Sequence, residues 1–181
     1  MTCRLVIVTV TSIAAIAAAG SAMAAGGHSA TTYKATLTAV DPAATTAGLA
    51  SVSGKARLVD GNRNKVNLHM RHLAAGTMYL WHVHQGSCAA TGAPVPGWTY
   101  RTQVGANGTL TANASGNANT KGRSATFDAV PGTSYSVNVH VAAPTNGLPA
   151  GTIIACGDLT TKAKKADKSP TAKPHGKSGK S

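Results

Sequence analysis

The sequence predicts an all-β fold, either a sandwich or a barrel of about eight short antiparallel strands. Apolar and polar residues alternate with a period of two through most of the chain, as in strands that cover a core with one face. Turn-forming pairs such as Asp41-Pro42, Asp60-Gly61 and Pro131-Gly132 separate these stretches. No stretch shows the period of an amphipathic helix, so helices are not expected to contribute to the core.

The predicted strands follow one another closely along the chain. Asn107 to Gly122 is rich in Asn, Gly, Ala, Ser and Thr, so we expect only a loose hairpin there. The strands are expected at Tyr33 to Ala39, Ala50 to Leu58, Val66 to Arg71, Tyr79 to Cys88, Trp98 to Val104, Thr109 to Ala114, Ser124 to Val130, Tyr135 to Val141 and Thr152 to Leu159.

The two ends of the chain differ from the domain between them. Residues 1–24 carry Arg4 as their only charged side chain, continue as an apolar, alanine-rich run and end in Ala22-Met23-Ala24. This pattern is typical of a cleaved secretory signal peptide, and the run is too short to favour a transmembrane anchor. We therefore expect a secreted or extracytoplasmic protein with a β domain at residues 25–160 and a separate tail at residues 161–181.

The tail carries half of the net charge of +12, with seven lysines and one aspartate. It contains no large apolar residue, so it cannot bury enough surface to order itself and is expected to be disordered. It acts either as a solvated linker or as a loose electrostatic attachment to anionic surface polymers. No aromatic residue is interleaved with the lysines, so we expect no specific nucleic-acid partner.

Two cysteines remain after export, because Cys3 leaves with the signal peptide. Cys88 and Cys156 are then expected to be bonded to each other, as paired cysteines are outside the cytoplasm. In the chain-entropy model, closing so long a loop removes about 4 kcal/mol of denatured-state freedom.

Three histidines form the candidate metal site. His82 and His84 alternate with Trp81 and Val83, so in a strand the two imidazoles point to the same side. His140 follows Val137 and Val139 in the same alternation and also points away from the core. If the two strands are neighbours, the three imidazoles can converge on copper, zinc or nickel. The alternative is three solvated surface histidines.

Further histidines offer additional ligands. His69 and His72 lie on and just after the preceding strand, and either can supply a fourth ligand or be an ordinary exposed histidine. His28 would complete an amino-terminal Gly26-Gly27-His28 site for Cu(II) or Ni(II) if cleavage followed Ala25.

The order of His82-Val83-His84, Cys88, His140 and Ala155-Cys156-Gly157 resembles that of Cu/Zn superoxide dismutases. The resemblance covers roughly Tyr33 to Thr160. It implies a Greek-key β-barrel that holds copper on its outer face through the three histidines. It also implies a Cys88 to Cys156 disulfide beside the site and superoxide as the substrate.

The chain departs from this family at several positions. No histidine occurs between His84 and His140, so the histidine that bridges copper and zinc in the family is absent. The zinc ligands are missing from the same region, and we expect one copper ion and no zinc. Ile153 stands where the family has an anion-guiding arginine, and the loop from Ala142 to Gly151 is short and uncharged.

Composition excludes some chemistry and leaves three classes of function. The chain has no glutamate and five aspartates, which makes paired-carboxylate catalysis improbable, and it has no glycine-rich phosphate loop. The remaining classes are a superoxide dismutase-like oxidoreductase, a protein that holds or transfers copper without turnover, and a structural barrel with incidental histidines. The histidine order favours a secreted copper-binding, superoxide dismutase-like protein.

Overall fold

The computed structural model describes residues 30–161. The predicted signal peptide, His28 and the lysine-rich tail from residue 162 onward lie outside the described residues. Thr161, which composition assigns to the tail, belongs to the last strand, where it is paired with Tyr33. Among the described residues, no helix is long and apolar enough to cross a membrane.

The fold is all-β, as predicted. A single helical turn, α1 (Ala43–Thr46), follows the first strand. The strands are β1 (Thr31–Ala39), β2 (Ser53–Asp60), β3 (Asn64–Arg71), β4 (Met78–Ser87), β5 (Ala90–Pro94), β6 (Trp98–Tyr100), β7 (Gln103–Val104), β8 (Asn107–Thr111), β9 (Ala118–Ser124), β10 (Tyr135–Val141), β11 (Ile153–Asp158) and β12 (Thr160–Thr161).

The strands form one antiparallel sheet in the order β6-β9-β3-β2-β1-β11-β10-β4-β8-β7, with β12 paired to β1 and β5 paired to β4. The connections from β3 to β4 and from β9 to β10 cross between the two halves of this sheet, which gives Greek-key topology. The sheet curls until β8 and β9 meet, where Thr120 Oγ1 donates a hydrogen bond to the Thr109 carbonyl at 3.4 Å. The result is a nearly closed barrel.

The period-two pattern of the sequence explains which side chains fill the barrel. Leu37, Leu58, Leu68 and Val83 are buried, while the residues that alternate with them in β1, β2 and β3 face outward. The ring of Trp81 packs edge-on against Tyr100 at a centroid distance of 4.7 Å, joining β4 to the β6 side of the barrel. Burial of these apolar side chains is the main driving force for the fold.

One predicted strand is wrong. Residues 125–130 are not a strand; β9 runs from Ala118 to Ser124 instead, and most of it lies in the segment expected to be a loose hairpin, which ends at Gly122. In β9 the buried positions hold small or polar residues such as Thr120 and Gly122, so the alternation is hidden from hydrophobicity. After Ser124 the chain turns, because the Ser124 hydroxyl accepts hydrogen bonds from the backbone N–H groups of Thr126 and Phe127.

Gly108 at the barrel seam provides a test of this packing. A Cβ atom there would lie 2.6 Å from Trp81 Nε1 and 2.8 Å from the Tyr100 ring. Gly108→Ala should therefore lower the free energy of unfolding by about 1–3 kcal/mol, as overpacking does, in denaturant titrations. Thr111→Ala, at an exposed position of the same strand, is the control and should change stability by about 0.5 kcal/mol or less. Wild-type stability in Gly108→Ala would contradict the packing described.

Candidate metal centre

Strand pairing positions the three histidines. β4 and β10 are antiparallel neighbours, with His82 opposite Asn138 and His84 opposite Ser136. Opposite residues in such a pair share a face of the sheet, so His140 lies on the same face as both β4 histidines. Trp81 and Val83 point into the core, which leaves the imidazoles on the outer face of the barrel.

The three imidazoles converge. One nitrogen from each of His82, His84 and His140 lies within 4.8 Å of the corresponding nitrogens of the other two. His82 Nδ1 and His84 Nε2 are 2.6 Å apart. The ring centroids of His82 and His140 are 4.5 Å apart, and those of His84 and His140 are 5.6 Å apart. This compact group fits a single metal ion.

Two backbone carbonyls fix the orientation of the rings. His84 Nδ1 donates to the Gly92 carbonyl at 2.9 Å, and His140 Nδ1 donates to the Gly151 carbonyl at 2.8 Å. Each bond places the ring proton on Nδ1 and leaves a lone pair on Nε2; His84 Nε2 accepts a hydrogen bond from His82 Nδ1, and His140 Nε2 has no partner among the described residues. A ligating histidine in a metalloprotein is held by an outer partner of this kind.

The cluster is covered, although it lies on the outer face. His82, His84 and His140 are 8%, 5% and 6% exposed. β5 turns back along β4 and brings Gly92 over His84, and the turn before β11 brings Gly151 over His140. Gly86, with φ of 94°, permits this return, because a Cβ atom there would clash with the Ala90 carbonyl.

Burial disfavours the charged forms of His82 and His140. It is the largest cause that lowers the pKa of His82 from 6.5 to about 4; the nearby His140 and His84 rings act in the same direction, and the Asn107 side chain acts in the opposite direction. Burial also lowers the pKa of His140, while its bond to Gly151 acts in the opposite direction. Neutral imidazoles are the form that binds metals.

The residues present fit a metal ion. His140 Nε2 is buried and has no hydrogen-bond partner among the described residues. An unpartnered buried nitrogen is costly unless it binds something, and a metal ion would use its lone pair. With His82 Nδ1 and His84 Nε2 beside it, the donor set is three nitrogens with no carboxylate or thiolate. The three histidines are thus positioned to bind a metal ion.

The disulfide connects the β4–β5 hairpin, which covers the histidine cluster, to β11. Cys88 and Cys156 are bonded, as predicted, with an Sγ–Sγ distance of 2.05 Å. Cys88 follows the end of β4, and its N–H also donates to the Asp158 carboxylate at 2.7 Å. The Asn138 side-chain oxygen contacts Cys156 Sγ at 2.7 Å, and Asn138 lies opposite His82. The bridge therefore holds the β4–β5 hairpin close to the histidine cluster.

The other predicted ligands lie elsewhere or outside the described residues. His69 projects from β3 and its Nδ1 is hydrogen-bonded to Asn119 Oδ1 at 2.5 Å. His72 Nδ1 is bonded to the Ser51 carbonyl at 3.0 Å. Neither belongs to the group formed by the three converging histidines. His28 is outside the described residues.

Three contributors to the site were not predicted from the sequence. Gly92 and Gly151 act through backbone carbonyls, and no residue type signals that role. Asn107 begins β8 and its side chain acts on the pKa of His82, but the sequence indicated only a loose hairpin from this residue onward. Each becomes recognisable only when its loop is placed against β4 or β10.

Comparison with known proteins adds no family assignment. The chain matches no protein-family model, and no curated protein matches it. The resemblance to Cu/Zn superoxide dismutases therefore stays a prediction from the motif order of the sequence.

The lowered pKa of His82 predicts how the stability of the metal-free protein depends on pH. In the unfolded chain the residue-82 imidazole takes up a proton near pH 6.5, whereas in the folded protein it does so only near pH 4. The contribution of His82 to the free energy of unfolding is therefore constant above pH 6.5 and falls as the pH is lowered from 6.5 to about 4. His82 alone contributes a loss of up to about 3 kcal/mol, measured by urea titration at several pH values.

His82→Asn should reduce this fall, because its side chain cannot take up the proton in either state. His69→Asn, which removes an exposed imidazole from β3, is the matched control and should keep the wild-type profile. Identical profiles for wild type and His82→Asn would contradict the buried, neutral state assigned to His82.

Proposed function

We propose that this chain is an exported copper protein that catalyses superoxide dismutation at a single three-histidine site. The observation that supports the proposal best is the convergence of one nitrogen from each of three buried imidazoles. The motif order shared with Cu/Zn superoxide dismutases adds the reaction class. The Cys88–Cys156 disulfide and the leader-like start of the sequence support export.

Copper is the metal that this donor set favours. Imidazole suits copper, zinc and nickel, and divalent copper binds most tightly of the first-row series at a given nitrogen site. When bound, copper supplies a one-electron couple between Cu(I) and Cu(II). We propose no zinc ion, since the described residues hold only one group of three or more His, Cys, Asp or Glu side chains placed for a metal.

The protein's own residues define the environment of the reaction. His82, His84 and His140 hold the ion, while the Gly92 and Gly151 carbonyls keep two of the rings in one orientation. Two superoxide ions and two protons yield one oxygen and one hydrogen peroxide. Because the lowered pKa values keep His82 and His140 neutral, we assign the supply of both protons to solvent.

A second candidate, a copper-holding protein without turnover, is favoured by the surroundings of His140. Ile153 is its register partner on β11, and it occupies the motif position of the family's guiding arginine. An apolar side chain there cannot focus an anion, which we expect to lower the encounter rate by about 10-fold to 100-fold. The net positive charge of the chain compensates in part.

Copper titration tests the site. In a His28→Ala background, which removes the amino-terminal alternative, we expect one Cu(II) per chain and a nitrogen-rich electron paramagnetic resonance spectrum. His140→Ala should weaken binding by more than about 100-fold, since loss of even an outer partner costs 10-fold to 100-fold. His69→Ala should leave binding unchanged. Retention of the signal in His140→Ala would contradict the assignment.

Stopped-flow measurement of superoxide decay, with a chelator present to remove loose copper, tests the reaction. The copper-loaded protein should accelerate decay, and the rate should fall with rising ionic strength. His140→Ala should lose the acceleration and His69→Ala should keep it. Tight copper binding without acceleration would favour the copper-holding alternative.

A further inference from the structure

The cations of the folded domain are concentrated on one side of the barrel. Residues 30–161 contain nine lysines and arginines. Two of them, Arg63 and Arg101, lie in turns. The other seven are exposed on the outward face of four neighbouring strands, β1, β2, β3 and β9. This basic face consists of Lys34, Lys55, Arg57, Lys65, Arg71, Lys121 and Arg123 together with the polar side chains between them.

Strand register brings like charges directly together on the basic face. Lys34 is opposite Arg57 on the β1–β2 ladder, and Lys65 is opposite Arg123 on the β3–β9 ladder. Like charges in directly opposed positions destabilise a sheet. No aspartate or glutamate occupies an outward position of these four strands in the described chain. The repulsion is thus left uncompensated within the face itself, and an external anion would relieve it.

A groove continues the basic face. It has a volume of about 920 Å³ and is walled by the loop between β8 and β9. Lys55, His69 and Arg71 line it together with Asn117 and Asn119, and its lining contains no carboxylate. Amide and hydroxyl side chains can both donate and accept hydrogen bonds, so they suit a ligand rich in hydroxyl groups.

We propose that the basic face and its groove bind a linear acidic polysaccharide. Adjacent outward rows are about 7 Å apart along the strands and about 4.8 Å apart across them, so the cations form a grid that an extended chain of regularly spaced anions can follow. The cations neutralise the carboxylate or sulfate groups, and the groove's asparagines bond to sugar hydroxyls. Charge and hydrogen-bonding chemistry are both complementary to such a polymer.

Other polyanions fit this face less well. The outward positions of the four strands hold no Phe, Tyr or Trp on which bases could stack. The exposed large hydrophobic residues, Met78, Val104 and Val130, are not on these strands, so the face has no apolar contact to insert into a bilayer. The disulfide also suits a compartment outside the cytoplasm.

A polymer bound to the basic face would not lie over the histidine cluster. In the strand order, the four strands of the basic face are separated from β10 and β4 by β11 on one side and by β8 across the seam, and the cluster lies on the outer face of β4 and β10. A bound polymer would therefore anchor the protein without covering the metal centre. This inference does not depend on which metal the centre holds.

Binding of the full mature chain to an alginate oligomer tests the proposal. Lys65→Gln/Arg123→Gln removes one opposed pair and should weaken binding about 25-fold, since each cation near an anionic surface contributes about 5-fold. Arg63→Gln/Arg101→Gln makes the same charge change outside the basic face and should change affinity less than about 3-fold. Equal losses in the two variants would overturn the basic face as the site, because the tail is identical in both.

Uncharged groove variants separate polysaccharide from nucleic acid. Asn117→Ala/Asn119→Ala should weaken alginate binding and leave binding of oligothymidylate of equal charge unchanged, with copper binding as the check on folding. Oligothymidylate that binds more tightly than alginate would overturn the polysaccharide assignment in favour of nucleic acid. Alginate binding unchanged by the groove variant would overturn the role of the groove.

Discussion

The pairing of β4 with β10 is the constraint on which the rest of the structure depends. With Trp81 opposite Val139 and Val83 opposite Val137, the core sides of both strands interlock. The same register places His82, His84 and His140 together on the outer side. A shift of one residue in either strand would carry its histidines into the core and its apolar residues outward. The burial of Trp81 and the valines therefore secures the geometry of the metal centre.

The barrel separates two surfaces that need opposite environments. Around the histidines, the β4–β5 hairpin, the disulfide and the turn before β11 limit the exposure of the rings to 8% or less, and this burial disfavours protonation of His82 and His140. On β1, β2, β3 and β9 the cations are exposed to solvent. An antiparallel barrel permits both, because outward side chains on strands that are not neighbours lie too far apart to pack against each other.

Predictions from the sequence were correct where the polarity of each residue and its place in the period-two alternation indicate the same face of a strand. The period-two pattern predicted the β fold, and the direction of His140 relative to Val137 and Val139 predicted the common face of the histidines. It failed at β9, where Thr120 and Gly122 are buried without being strongly apolar. It also missed the cover over the cluster, because the carbonyls of Gly92 and Gly151 act through tertiary placement alone. Burial of an outward-facing strand depends on loops, whose positions a local pattern does not encode.

The most direct test of the metal centre is anomalous diffraction at the copper edge from crystals of the copper-loaded protein. We expect one strong peak at about 2 Å, the usual metal–imidazole distance, from His82 Nδ1, His84 Nε2 and His140 Nε2. We also expect the Gly92 and Gly151 carbonyls to keep their bonds to the rings. A principal peak at His69 or His72, or coordination that leaves His140 Nε2 unbound, would contradict the assignment of the three histidines as the metal centre.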